Sequence, residues 1–165
     1  MDKDSRKDSN MYIDLLKASI KKKIEILNTI LTITEQQEKL ISINQLDDDS
    51  FDQTLIQKEK QINDLSQVDD GFNQIYLRVK DKLAEHKHEY KEDIEELQQL
   101  VKDMTDLGVM IEAMEKRNKI KIELYFTNKR KDLKTKRLNN QTVTKYYKSM
   151  TKLNDNRSFF YDKKN

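Results

Sequence analysis

The sequence contains no cysteine, proline or tryptophan and only two glycines among its 165 residues. The absence of cysteine excludes disulfide frameworks, cysteine-based zinc sites and thiol chemistry, and it fits a reducing compartment. Because tight hairpin turns draw on glycine and proline, we do not expect an all-β fold, which needs a turn about every ten residues. These absences leave a chain of helices as the expectation.

Charged residues make up 38% of the chain and hydrophobic residues 35%, whereas globular domains have about 25% charged residues. A thick globular core is therefore not expected, and each helix should bury one apolar stripe. The net charge of +2 conceals an asymmetry, because residues 1–115 sum to −10 and residues 116–165 to +12. A basic tail of this kind can bind nucleic acid, an anionic membrane or an acidic protein patch, or it can fold back onto its own body.

No targeting signal or membrane span is evident. The first ten residues are charged and polar, without the apolar core that a secretory signal requires. The longest helical candidates carry a charge every few residues, which does not suit a bilayer span. We therefore expect a soluble, cytoplasmic protein.

Hydrophobic periodicity predicts three helices and two breaks. Apolar residues recur at steps of three or four, the spacing of one helical face. Clusters of polar, turn-forming residues interrupt this pattern at residues 44–50 and 66–71. The predicted helices cover about residues 10–43, 50–66 and 72–127.

The expected fold is all-α: an elongated antiparallel helical hairpin, or coiled-coil-like bundle of three helices, with a very long third helix. Residues 1–9 form a disordered leader in this interpretation, residues 10–127 the helical hairpin domain, and residues 128–165 a basic, partly helical or disordered tail. A helix from residue 72 to about 130 would be roughly 90 Å long, so its stripe beyond about residue 105 has no evident intramolecular partner. Such a stripe is usually completed by another chain.

Groups that support catalysis or metal binding are sparse. His86 and His88 are two residues apart, so on a helix their side chains point in nearly opposite directions and cannot share an ion. The carboxylates of residues 89–96 suit a solvated helix face better than an acid–base pair, which needs a concave, partly dry site. Phosphate-binding glycine loops and nucleophile motifs are absent from the sequence. We expect neither enzyme activity nor a metal or cofactor.

The tail mixes lysine with tyrosine and phenylalanine. The segment Thr142–Lys152 would place Val143, Tyr146, Tyr147 and Met150 on one side of an amphipathic helix. This side can bind a partner's groove, dock on the protein's own hairpin, or contact nucleic acid or a membrane surface. Nucleic acid is the weaker expectation, because the tail has little arginine and no known recognition module.

The order of several features resembles one known family. These features are an acidic loop at residues 47–50, the Glu-Lys step in QKEKQINDL, a long third helix, the sequence MEKRN at residues 114–118 with a Glu-x-x-Asn pattern, and the tail segments TVTKYYKSM and SFFYDKKN. Over about residues 10–126 the chain resembles flagellar type III export chaperones of the FlgN family, and the FliT-like group is close.

The resemblance implies a cytoplasmic chaperone that keeps a hook-associated or cap subunit unpolymerised and delivers it to the export gate. In that family the C-terminal part of the chaperone holds the cargo. The cargo-binding residues expected here are Met104, Leu107, Ile111, Met114, Asn118, Ile122 and Tyr125. In that family a tail tyrosine also takes part in docking on the cytoplasmic domain of the export gate, and by position the resemblance implies Tyr146 or Tyr147 for this role.

Two other functions fit the same sequence features. A structural coiled-coil adaptor would homo-oligomerise through the stripe of the third helix, and a nucleic-acid binder would use the basic tail. As a chaperone, the chain is expected to be a monomer or a weak homodimer.

Overall fold

A computed structural model describes residues 2–42 and 46–129 of the chain. The described residues form three α-helices, joined by short connections, and contain no β-strand. The helices are α1 (Lys3–Ile41), α2 (Asp48–Glu85) and α3 (Lys91–Lys129). They have 39, 38 and 39 residues, so each is about 58 Å long at 1.5 Å per residue. The prediction of an all-α fold with three helices is confirmed.

The helix α1 packs against both other helices. Near its start, Lys82 of α2 donates a hydrogen bond to the Ser5 hydroxyl at 2.6 Å. Near its end, the Gln37 amide donates to the Thr54 hydroxyl at 3.1 Å. Because residue numbers rise on α1 while they fall on α2, these two helices are antiparallel.

Along the contact between α1 and α3, residue numbers rise in the same direction on both helices. Lys17 pairs with Asp93 at 2.6 Å, and Glu38 pairs with Lys121 at 3.6 Å. The helices α1 and α3 are therefore parallel, and the bundle has an up-down-up topology. In this arrangement the end of α3 lies beside the connection between α1 and α2.

The second helix begins with a side-chain cap. The Asp47 carboxylate accepts a hydrogen bond from the Asp49 backbone N–H at 3.1 Å and another from the Ser50 hydroxyl at 2.7 Å. This satisfies an orphan backbone donor of the first turn. Asp48 and Asp49 add negative charge at the positive end of the helix dipole. A helix beginning at Asp48 is therefore favoured locally.

Apolar side chains on the inner faces form two separate clusters. The main core extends over most of the bundle, and the second cluster lies at the end where α1 connects to α2. Buried residues of the main core include Ile13, Leu16, Ile20, Leu27 and Ile30 of α1, Ile62, Leu65, Phe72 and Val79 of α2, and Leu97, Val101, Met104 and Ile111 of α3. The second cluster is built on Leu46, Phe51, Ile122 and Phe126.

The second helix continues through residues 66–71, where the sequence predicts a break. The physical reason is that Leu65, Asp69 and Phe72 are all buried against α1, and that Asp69 forms an ion pair with Lys23 there. A residue type typical of turns is thus held in the helix by a partner on another helix. The connection between α2 and α3 lies instead at residues 86–90.

This boundary changes the length of the third helix. Because α2 extends to Glu85, α3 begins at Lys91 rather than at residue 72 and has the same length as α1. The predicted very long third helix is therefore wrong.

The extension of α2 also covers the beginning of the chain. Ser9 is fully buried and α1 begins at Lys3, so most of the predicted leader is helical.

None of the helices in the described part of the chain is long and apolar enough to cross a lipid bilayer. The tail predicted for residues 128–165 lies almost entirely outside the described residues, and of it only the end of α3 is seen.

Candidate functional site

The predicted cargo-binding residues face the interior of the bundle. Met104 and Ile111 belong to the main core, and Ile122 belongs to the second cluster. Leu107 packs against the main core from a half-buried position, and Met114 is also half-buried. The expectation that this stripe lacks an intramolecular partner is therefore wrong, because its residues pack within the main core and the second cluster.

Tyr125, another predicted cargo residue, holds the end of α3 against the α1–α2 connection. Its hydroxyl accepts a hydrogen bond from the Leu46 backbone N–H at 3.4 Å. Its ring meets the Phe126 ring edge to face, with centroids 5.4 Å apart. Tyr125 is thus an anchor within the fold. The predicted docking residues Tyr146 and Tyr147 lie outside the described residues.

A layer of polar side chains separates the main core from the second cluster. We call it the polar layer, and it consists of Thr34 and Gln37 of α1, Thr54 and Lys58 of α2, and Glu115 and Asn118 of α3. At its centre the Lys58 ammonium donates to the Gln37 side-chain oxygen Oε1 and pairs with the Glu115 carboxylate. One buried cation thus connects all three helices.

The remaining members of the polar layer satisfy one another or the backbone. The Gln37 amide donates to the Thr54 hydroxyl, and Asn118 donates its amide hydrogen to the Thr34 carbonyl oxygen, both at 3.1 Å. The single Thr34 hydroxyl hydrogen is shared between the Ile30 carbonyl oxygen at 2.7 Å and Glu115 at 3.1 Å. Within the described residues, the buried Asn118 Oδ1 has no hydrogen-bond donor.

Burial dominates the electrostatics of Lys58. Removal from water lowers the pKa of the ammonium, and the charge and hydrogen bond of Glu115 oppose this only in part. Side-chain exposure is 5% for Lys58 and 20% for Glu115, so the carboxylate retains some contact with solvent. Buried pairs of this kind are better understood as devices that fix the register of helices than as large contributions to stability.

A second buried ion pair joins α1 to α2. Lys23 and Asp69 have side-chain exposures of 1% and 0%, and the Lys23 ammonium lies 5.9 Å from the centre of the Phe72 ring. Removal of either partner would leave a charge buried without its counter-ion. Both positions continue the apolar stripes of their helices at steps of three and four, so a charged residue on an apolar face was the available signal.

At the surface, Lys17 joins α1 to two acids of α3. It contacts Asp93 at 2.6 Å and Glu96 at 2.8 Å. Partial burial lowers the pKa of Lys17, but the hydrogen bonds with these acids outweigh it and raise the pKa above its ordinary value. The hydrogen bond from Lys17 in turn lowers the pKa of Glu96. This pairing sets the alignment of α1 with α3 near their N-terminal ends.

The outward face of α3 carries an apolar stripe that the sequence analysis did not single out. We call it the outer stripe: Val109, Ala113, Ile120 and Leu124, with Met110 at its edge. The four large side chains are 53–59% exposed. Spacings of four and seven residues place them along one helical face about 22 Å long. In the sequence, these apolar residues recur at helical spacing outside the main apolar face, and this recurrence was the signal that could have identified the outer stripe.

Charged side chains lie beside the outer stripe. Lys116, Arg117, Lys119 and Lys121 are exposed on the same half of α3. Of these, Lys116 is paired with Glu112 at 3.1 Å and Lys121 with Glu38 at 3.6 Å. Glu123 is exposed on the same stretch of helix, so the charges beside the outer stripe are mixed and indicate no particular charge on a partner.

The described residues assemble no group of three or more His, Cys, Asp or Glu side chains that could hold a metal ion. His86 ends α2, where its backbone N–H donates to the Lys82 carbonyl oxygen at 3.0 Å, and His88 is exposed in the connection.

An open depression of about 570 Å³ lies between α1 and α2, lined mainly by polar residues such as Lys22, Glu25 and Asp64. The outer stripe is the feature best suited to binding.

No family model, curated protein or solved structure matches the chain. Function is therefore inferred from the fold and the contacts described above.

Proposed function

We propose that this protein is a helix-binding chaperone without catalytic activity, and that it is a cytoplasmic flagellar export chaperone similar to the FlgN family. In this proposal it binds a hook-associated or cap subunit, prevents premature polymerisation and delivers the subunit to the type III export gate. The observation that carries the proposal is the outer stripe on the C-terminal half of α3.

The geometry of the outer stripe supports a helical partner. It is about 22 Å long and one helical face wide, which matches the apolar face of an amphipathic helix of about four turns. Such a helix self-associates when its apolar face is exposed to water, because burial of apolar surface drives the association. A chaperone that covers this face prevents that association, and needs no chemical step to do so.

The proposed surface differs from the predicted one by its position around the same helix. Met104, Ile111 and Ile122 are buried against other side chains of the bundle. Val109, Ile120 and Leu124 are exposed, so a partner can contact them without any rearrangement of the helices. The assignment of cargo binding to the C-terminal half of α3 is retained in the proposal. Its contact residues are those of the outer stripe.

The direct test is a binding measurement between the full chain and purified hook-associated and cap subunits. We expect a stable complex with at least one subunit in size-exclusion chromatography with light scattering. The double variant Ile120→Glu, Leu124→Glu should weaken binding about tenfold or more, because two charges would face the apolar partner. A folded wild-type chain that binds none of these subunits would refute the proposal.

The matched control changes exposed apolar residues on another helix. Ile56 and Leu77 of α2 are each 61% exposed, as much as the members of the outer stripe. The double variant Ile56→Glu, Leu77→Glu should therefore leave cargo binding unchanged. An equal loss in both double variants would show that binding does not depend on the outer stripe.

The outer stripe also fits a structural adaptor that pairs with a second copy of itself. Light scattering on the chain alone separates these two functions. A stable dimer that Ile120→Glu and Leu124→Glu disrupt, without affinity for a flagellar subunit, would favour the adaptor.

Docking on the export gate is assigned to the tail, through Tyr146 or Tyr147. The expected result is that Tyr146→Ala with Tyr147→Ala weakens binding to the cytoplasmic domain of the gate and leaves cargo binding intact. Loss of both activities, or of neither, would contradict this separation of roles.

A further inference from the structure

The third helix changes character near Gly108. Residues 91–108 contain six Asp or Glu and two Lys or Arg, and none of the large apolar side chains that α3 exposes lies there. Residues 109–129 contain three Asp or Glu and five Lys or Arg, and they hold the whole outer stripe. One helix thus has an acidic, polar half followed by a half that exposes apolar side chains and has a small excess of positive charge.

The excess of positive charge grows in the sequence that follows α3. The charges beside the outer stripe are mixed, but residues 130–137 contain five Lys or Arg and one Asp. Residues 116–165 carry +12 in all, whereas residues 1–115 carry −10. An anionic surface would therefore attract the C-terminal end of the protein and repel the body, which orients the molecule.

The outer stripe is directed away from the rest of the bundle. Other faces of α3 meet the other two helices, where Asn118 donates to the Thr34 carbonyl oxygen and Glu115 pairs with Lys58. A flat surface can therefore contact the members of the outer stripe together without meeting α1 or α2. An exposed apolar face with cations close by is typical of helices that lie in the interface of a bilayer.

We propose that the outer stripe and residues 130–137 together form a binding site for an anionic membrane surface. The apolar side chains enter the boundary between headgroups and acyl chains, and the basic residues contact the headgroup phosphates. Stable attachment to a bilayer usually needs two such signals, because each one alone is weak. The contact is peripheral and leaves the three helices intact.

This membrane site goes beyond the proposed function and does not rest on it. Vesicle binding is measured with the chain alone, whereas cargo binding is measured with a subunit and without lipid. A chain that binds vesicles but no flagellar subunit would support the membrane site and refute the chaperone, and the reverse result would do the opposite.

The test is flotation of the full chain with vesicles of two compositions. One is phosphatidylcholine alone, and the other contains about 30 mol% phosphatidylglycerol, which is anionic. We expect binding to the anionic vesicles to be about tenfold or more stronger at low salt. It should weaken as salt is added, because salt screens the attraction.

The contribution of the outer stripe is tested with substitutions that add no charge. Ile120→Ser with Leu124→Ser should weaken binding to anionic vesicles about tenfold or more, because two apolar side chains no longer leave water. The matched control is Ile56→Ser with Leu77→Ser on α2, whose side chains are equally exposed. This control should bind like the unsubstituted chain.

The contribution of the basic segment is tested in the same way. Lys134→Gln, Lys136→Gln and Arg137→Gln together should weaken binding to anionic vesicles about tenfold or more, since each cation near the surface contributes to the attraction. The matched control changes three cations of α2, with Lys60→Gln, Arg78→Gln and Lys80→Gln, and lowers the net charge equally. It should bind better than the triple variant of the segment.

The absence of cysteine from the sequence permits a direct readout of the contacting face. Ala113→Cys places one thiol within the outer stripe, and Ile56→Cys places one on α2, both at exposed positions. A polarity-sensitive dye at position 113 should shift its emission to the blue with anionic vesicles, whereas the dye at position 56 should not. This readout leaves Ile120 and Leu124 in place, so it does not depend on the folding of the serine variant.

The outcomes that would overturn the proposal are distinct. A folded chain that does not float with anionic vesicles lacks the site. Binding that survives the loss of Ile120 and Leu124, with no blue shift at position 113, would be electrostatic attraction of the tail alone, which nucleic acid would share. Equal binding to both vesicle compositions would exclude a role for the basic segment.

Discussion

Lys58 of α2 and Glu115 of α3 form an ion pair inside the bundle, although 57 residues separate them along the chain. The pair joins the two helices that flank α1, and Gln37 of α1 accepts a hydrogen bond from the same ammonium. In the sequence, Lys58 interrupts the apolar stripe of its helix, but nothing there indicates Glu115 as its partner. Their pairing nevertheless fixes how far α2 and α3 are displaced along each other.

The first prediction concerns the loss of one partner of this pair. Glu115→Gln should lower the free energy of unfolding by about 2–4 kcal/mol, because it leaves Lys58 buried without a counter-ion. The double variant Lys58→Met, Glu115→Leu should recover most of the loss, although Gln37 then lacks a donor. Urea denaturation followed by circular dichroism measures both. If the single and double variants were equally destabilised, the charge pair would not be the cause.

The second prediction concerns alkaline pH. Because the folded pKa of Lys58 is lowered, the unfolded chain binds more protons than the folded chain between the folded pKa and the unfolded value. Stability must then rise with pH over that interval, and Lys58→Met should remove this rise. The difference in unfolding free energy between wild type and Lys58→Met is measured at several pH values up to about 9.5.

The upper limit on pH keeps the measurement below the range in which a second group, Tyr76, changes stability in the opposite direction. Burial, with a smaller contribution from the charge of Asp81, raises the pKa of Tyr76. Above the unfolded pKa of tyrosine, about 10, the folded chain therefore holds a proton that the unfolded chain has lost, and stability falls as pH rises. The wild-type minus Lys58→Met difference cancels most of this effect. A difference that does not change with pH would contradict the lowered pKa of Lys58.

The third prediction concerns Gly71, which lies inside α2 rather than in a turn. An added Cβ would meet no atom within 4 Å, so the substitution Gly71→Ala introduces no clash. It should raise the free energy of unfolding by about 0.5–1 kcal/mol, because alanine loses less backbone entropy than glycine in a helix. Thermal denaturation measures the change. A clear loss of stability would instead support the helix break that the sequence predicts at residues 66–71.

The hydrophobic periodicity of the sequence predicted which residues are buried better than it predicted where the helices begin and end. Ile13, Leu16 and Ile20 of α1 and Met104 and Ile111 of α3 were assigned to apolar faces, and all are buried. These assignments need only the helical period, which neighbouring residues define. The same reasoning could not say whether an apolar face meets its own chain or another.

The boundary between α2 and α3 could not be predicted because its causes are not local. The sequence from Ser66 to Gly71 has the composition of a turn, yet Asp69 is held in the helix by Lys23, 46 positions earlier in the sequence. The actual connection at residues 86–90 contains no glycine or proline. Once the boundary was misplaced, the excess length of the third helix and its unpaired inner stripe followed from it.

The last prediction concerns hydrogen exchange along α3. Backbone amides of residues 119–127 lie beyond the polar layer, and those of residues 97–111 lie in the main core. Because the second cluster is small and separate, its amides should exchange at least about tenfold faster than those of the main core. Glu115→Gln should widen this ratio, since it weakens the attachment at the polar layer. Equal protection on both sides of the polar layer would mean that α3 opens only as a whole, and would contradict this prediction.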